Sequence, residues 1–270
     1  MIMTSKFPMD SLRRRLWLAP VLAALAALAL GAPSAAQDRA DQTDDGWDYS
    51  ETGGVHLASV AYDEGRAIGV RCSRGALEVL LLGLALPPPQ RVDTVMLDVA
   101  VDDHDGQQTW LTIPGQPALF SARPAYLARR LRDAAVISLQ IEDQTPRLKL
   151  PLPSDGASVD RVLSACGQPL ADSRDDLPEI GPRPDDAANS IWKRLPNLSA
   201  TAADARYDFI VVSCVVAPDH RLTACRPEVQ QPSGRAGASA ARAFESGRLN
   251  PDAAVPEGRL LVALLTPDRR

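Results

Sequence analysis

The sequence predicts an α+β protein: a β-rich N-terminal domain of sandwich or open-barrel type, then a small ββαβ domain. Three observations lead there. Short apolar stretches separated by Gly, Pro and Asp turns recur through residues 57–152. Helical patterns come only late in that region, from Pro124 and before Cys166. Beyond an acidic, proline-rich segment the order becomes strand, strand, helix, strand.

The chain opens with a basic cluster, Arg13, Arg14 and Arg15, then an apolar run over 16–32, then small residues Ser34 and Ala36 before Gln37. That is the order of a secretory signal peptide, so residues 1–36 are expected to be removed by cleavage before Gln37. The rival reading is a retained anchor. Pro20 disfavours it, and the run is shorter than the roughly 20 residues a spanning helix needs. Residues 1–36 hold four basic residues and one acid, which leaves 25 basic against 33 acidic, net −8. Nucleic acid requires a basic track, which this balance lacks, and the same charge disfavours anionic lipid surfaces. A periplasmic protein with no membrane span after cleavage is expected.

The β-rich domain should cover residues 47–172. Its strands are expected at 57–62, 67–72, 77–84, 94–101, 109–113, 136–141 and 147–152. One helix should start at Pro124 with Leu127 and Leu131 on its inner face. A second carries Val159, Val162, Leu163 and Cys166 at i, i+3, i+4 and i+7, with Ser154 or Asp155 to cap it and Gly167 to end it. Ile68, Val70 and Cys72 alternate onto one strand face. Cys72 and Cys166 therefore both point inward and are expected to form a disulfide, as an exported chain with four cysteines allows.

The other two cysteines bracket a hairpin, C-V-V-A-P-D-H-R-L-T-A-C, from Cys214 to Cys225. A symmetric register places them directly opposite. A four-residue loop, Pro218 to Arg221, puts both cysteines and Pro227 at non-hydrogen-bonded sites, where a cross-strand disulfide fits and proline need not donate. His220 can take the left-handed conformation of such a turn. Zinc ligands would be spaced two to four residues apart, and a redox pair would read C-x-x-C; neither applies.

Residues 173–188 read as an acidic, proline-rich linker, and residues 189–270 as the second domain. Its helix is expected near 237–246 with Phe244 as anchor, and its last strand at 259–265. Pro227 makes the second strand an edge. The order 222–230, 207–217, 258–265 follows, with a right-handed crossover. The last strand then offers its outer edge, Leu260, Leu261, Val262, Ala263, Leu264 and Leu265, to an envelope protein by strand addition.

The segments W-K-R-L-P, A-R-Y-D-F-I-V-V-S-C-V-V-A-P-D-H-R-L-T-A-C, P-S-G-R-A-G-A-S-A-A-R-A-F and L-N-P resemble the C-terminal domain of the TonB energy-transducer family. The resemblance implies a ββαβ fold, with Asp219-His220 where that family has Asp-Gly, and a docking role. Energy transduction would require a retained N-terminal helix and a long rod. The linker here is too short for a rod. G-V-R-C and V-L-S-A-C-G make the N-terminal domain similar to exported invasion-associated locus B-type proteins.

Catalytic patterns are weak. His56, His104 and His220 share no metal-ligand spacing. If D-D-H-D-G were a calcium loop, its end ligands would fall on Val101 and Thr112, so a solvated hairpin turn is expected instead. Ser190-Ile191-Trp192-Lys193 lacks the partner motifs of an S-x-x-K enzyme, and Gly237-Ala238-Ser239 lacks the second glycine of a nucleophile elbow. The expected function is non-catalytic binding or envelope interaction, with no metal or cofactor. The alternatives are an enzyme whose site lies in the N-terminal domain without a local motif, and an energy transducer if the N-terminal helix is retained.

Overall fold

Nine strands between Asp48 and Pro151 hydrogen-bond into one antiparallel sheet in a computed structural model that describes residues 46–84, 86, 88–141, 147–180, 191–198, 208–232, 234–251 and 257–266. The expected signal peptide lies outside these residues. The strands are β1 (Asp48–Thr52), β2 (Val55–Ala61), β3 (Ala67–Ser73), β4 (Ala76–Leu82), β5 (Asp93–Val101), β6 (His104–Thr112), β7 (Ala118–Ser121), β8 (Val136–Ile141) and β9 (Leu148–Pro151). Their order is β1-β2-β3-β4-β7-β6-β5-β8-β9. β1 and β7 were not anticipated. β1 is almost wholly exposed and β7 is only four residues long, so neither carries a clear alternation.

The sheet curls. The Tyr62 hydroxyl, just past β2, donates to the Pro151 carbonyl at the end of β9, 2.6 Å away. Burial pushes that hydroxyl up to about 12. The concave face buries Ile68, Val79, Leu97, Trp110 and Ile137. Helices α1 (Pro124–Leu131) and α2 (Ala157–Ala165) add Leu127, Leu131, Val159, Val162 and Leu163, all fully buried. The N-cap of α2 is Gly156, one residue past the expected Asp155, whose carboxylate accepts the Ala157 N–H at 2.9 Å. Only glycine fits at that cap, because a Cβ on Gly156 would lie 2.1 Å from the Arg132 carbonyl oxygen. Gly167 ends the helix at φ +64°, where glycine is at ease.

The remaining strands are β10 (Glu179–Ile180), β11 (Trp192–Arg194), β12 (Phe209–Val216), β13 (Leu222–Gln231), β14 (Arg248–Leu249) and β15 (Leu260–Leu265), with α3 (Ala236–Phe244) between β13 and β14. A second sheet has the order β10-β15-β12-β13, and β11 pairs with β14 apart from it. One face of the second sheet packs on α3 through Ile210, Val212, Val216, Ala240, Phe244 and Leu261. The other face packs on the outside of the large sheet, where Phe209, Val211 and Val262 meet Leu111 and Phe120. β12 is therefore covered on both sides, which is why it reads F-I-V-V-S-C-V-V with no polar alternation.

Three expectations are corrected. Residues 173–180 are not a free spacer: Arg174 is buried, and Glu179–Ile180 forms β10; residues 181–188 lie outside the described set. The start of the last edge is occupied, because β10 runs parallel to β15 and pairs Glu179 with Leu260 and Ile180 with Leu261. Among the described residues only Val262, Ala263, Leu264 and Leu265 lack a partner there, and Val262 is buried against the large sheet. The hairpin register is not uniform. Arg226 and Pro227 follow the symmetric pairing, but two bulges break it, and near the turn Val216 faces Leu222. Ala224, at φ +47°, absorbs the extra residue beside the cysteines. His220 does take the left-handed conformation, at φ +60°.

Candidate functional site

Cys72 is bonded to Cys166 and Cys214 to Cys225, so one bridge lies in each layer. The first ties β3 to the end of α2. The second crosses the β12–β13 bulge. Such bridges fit an oxidising compartment.

Between the layers runs a chain of buried charges. Glu179 accepts from Arg123 Nη1 at 3.1 Å through one oxygen and from the Thr109 N–H at 3.2 Å through the other. Burial raises the Glu179 carboxyl, with Arg123 pulling it back. Arg123 also stacks on Tyr126, its guanidinium carbon 4.2 Å from the ring centroid. Arg174 donates to Ser213 Oγ at 2.6 Å, and Ser213 donates to Glu228. Burial lowers the Arg174 guanidinium, and the charge of Arg226 adds to the effect. Arg226 binds Glu228 at 3.0 Å and also pairs with Asp172. Arg129 grips Asp175 with two bonds of 2.5 and 2.7 Å. Four arginines and four carboxylates thus pin residues 172–180 into the seam between the sheets. A buried pair of this kind adds little net stability, but breaking it exposes the cost of desolvation, so it fixes one arrangement.

At one end of the chain lies a groove of about 530 Å³ between β13 and the β3–β4 hairpin. Arg226, Glu228 and Gln230 of β13 form one wall, and Arg71, Ser73 and Arg74 form the other. Arg71 is paired with Glu78 at 2.7 Å, whereas Arg74 at the hairpin tip makes no ion pair among the described residues. β13 is the outer strand of its sheet, so its far edge carries no partner strand among the described residues. At the other end lies a smaller polar pocket of about 230 Å³, lined by His104, Asp105, Arg123, Tyr126, Glu179 and Arg259 among others. A third, apolar cavity of about 420 Å³ sits under the loop around Leu84, Leu86 and Pro88, beside Gln116 and Pro117.

The histidines stay apart. His56 shares a 2.9 Å hydrogen bond with the Tyr49 hydroxyl, His104 opens β6, and His220 occupies the β12–β13 turn. The D-D-H-D-G segment is the β5–β6 hairpin. Val101 faces His104, and the Asp102 carboxylate accepts the N–H groups of Ala135 and Val136. Ser190 lies outside the described residues, and Ser239 sits within α3. No group of three or more candidate metal ligands gathers among the described residues. No described helix is long and apolar enough to cross a membrane. Arg123, Arg174, Glu179 and Glu228 carry no local motif that marks them in the sequence. Arg174 and Glu179 fall in the supposed linker, where Leu177 and Ile180 on either side of Pro178 and Glu179 were the only large apolar residues.

Comparison with known proteins finds no matching family model, curated protein or solved structure. What defines the class is the architecture: a curled nine-stranded sheet and a helix-backed four-stranded sheet, packed face to face and each stapled by a disulfide.

Proposed function

We propose that this is a non-catalytic, exported binding protein of the cell envelope, which takes an extended segment of a partner polypeptide along the free edge of β13. The observation that carries this reading is the β13 edge opening into the 530 Å³ groove. An unpaired edge offers main-chain donors and acceptors to an added strand, and a flanking wall gives side-chain selection. The β3–β4 hairpin is that wall. The ββαβ segment order and the motifs from W-K-R-L-P to L-N-P support a polypeptide partner through their resemblance to TonB C-terminal domains. β13 replaces β15 as the docking edge because β10 occupies the start of β15. Pro227 donates nothing, so docking relies on the residues around it.

Peptides drawn from envelope proteins, selected on immobilised residues 37–270, should slow amide exchange within Leu222–Gln231 when bound. Ser73→Trp would narrow the groove without touching the strand and should weaken such peptides. Selected peptides that leave β13 exchange unchanged and bind Ser73→Trp equally well refute the reading.

A further inference from the structure

We propose that the polar pocket at the opposite end of the charged seam binds a small zwitterion of the free amino acid class. This inference stands apart from strand addition on β13. The deep end of the pocket offers donors. Both Glu179 oxygens are already taken, by Arg123 and by the Thr109 N–H. Arg123 spends Nη1 on Glu179 and makes a long 3.4 Å bond from Nη2 to the Arg174 carbonyl. Its Nε has no partner among the described residues, although the side chain is 2% exposed. A buried donor left unsatisfied is costly, so the guanidinium is held in place by its other partners rather than by this nitrogen. Tyr126 lies against the same guanidinium and lines the same pocket.

The mouth carries the two complementary charges. Arg259 and Asp105 both line it, and neither makes an ion pair within the described residues. His104 sits beside Asp105 on the same strand. With Arg123 neutralised by Glu179, the remaining charges are one cation and one anion. A phosphate dianion would meet two carboxylates with no surplus of positive charge, so it fits poorly. A molecule with one carboxylate and one ammonium matches both, with its carboxylate toward Arg259 and its ammonium toward Asp105. Size agrees: 230 Å³ is about the space of eight liquid waters, too small for a drug-sized ligand.

The test uses the whole mature chain, residues 37–270, titrated with each proteinogenic amino acid and followed by calorimetry and amide chemical shifts. Acetate, ethylammonium and inorganic phosphate serve as separate probes. At least one amino acid should bind, with shifts centred on His104–Gln108 and Tyr126. Acetate and ethylammonium alone should bind at least tenfold more weakly. Arg259→Gln and Asp105→Asn lie at the exposed mouth, so both should fold normally and each should lose about tenfold in affinity. The proposal is overturned if no amino acid binds at millimolar concentration. Acetate or phosphate binding as tightly as the best amino acid would also overturn it, as would unchanged affinity in both variants.

Discussion

Replacing Glu179 with Gln removes one charge from the seam and leaves the shape intact. Glu179 accepts one bond at each oxygen, from Arg123 at 3.1 Å and from the Thr109 N–H at 3.2 Å. Glutamine has a single acceptor oxygen, so its amide N–H₂ must confront one of those donors. The variant therefore has both an unpaired buried guanidinium and an unsatisfied N–H. Breaking a buried pair by removing one partner costs about 3–5 kcal/mol. In a chain of this size each kcal/mol moves the midpoint by about 2–4 °C, so Tm should fall by roughly 6–20 °C. Differential scanning calorimetry at pH 7 measures it. The double variant Arg123→Met, Glu179→Met leaves no charge unpaired and should recover most of the loss. A Glu179→Gln melt within about 2 °C of wild type, or a double variant no better than the single, refutes the claim that this pair holds the seam.

Removing the Cys72–Cys166 bridge, which closes 94 residues, should cost about 4–5 kcal/mol in the chain-entropy account. Removing Cys214–Cys225, which closes 11, should cost about 3 kcal/mol or less; serine pairs compared by urea denaturation give the order. Gly237→Ala would set a Cβ 2.6 Å from Gln230 Oε1 and 2.9 Å from Pro227 Cβ, pushing α3 off β13, so a loss of about 1–3 kcal/mol is expected in thermal melts. Burial would raise the Asp172 carboxyl, but the Arg174 N–H bond and the bond and charge of Arg226, with Arg129, outweigh it and hold the group below its ordinary value. Its stabilisation is complete above the unfolded value of about 3.9 and is lost as pH falls through the lower folded value. Asp172→Asn should cost about 1–3 kcal/mol at pH 7, and its gap to wild type should narrow as pH falls below the unfolded value and through the lowered folded one; a gap that stays constant contradicts the assignment.

Local signals announced most of the fold. Seven strands of the large sheet carried enough alternation to be placed, Pro124 and Gly167 marked helix limits close to those observed, and the helix expected near 237–246 runs over Ala236–Phe244. Pro227 indicated the edge strand, and β13 is outermost. Long-range packing is what escaped. Nothing in D-D-L-P-E-I shows that Glu179 will meet Arg123, because a charged, proline-rich stretch looks the same whether solvated or pinned by arginines far along the chain. The unbroken apolar run of β12 was a usable sign that its sheet would be covered on both faces. The bulge at Ala224 left no sign, since alanine rarely adopts positive φ.

Leu80, Leu111 and Phe120 belong to the large sheet, yet the face they form is sealed only by strands that follow it in the chain. An N-terminal fragment ending at Asp172 would keep its own disulfide and its concave core and still present that face to water. The chain's last-made strand, β15, supplies Val262 to the seal and closes against β10, so both ends of the small sheet must be present before the outer face of the large one is dry. Cutting within residues 173–180 should therefore yield halves that stay together or clump, rather than two separate soluble modules.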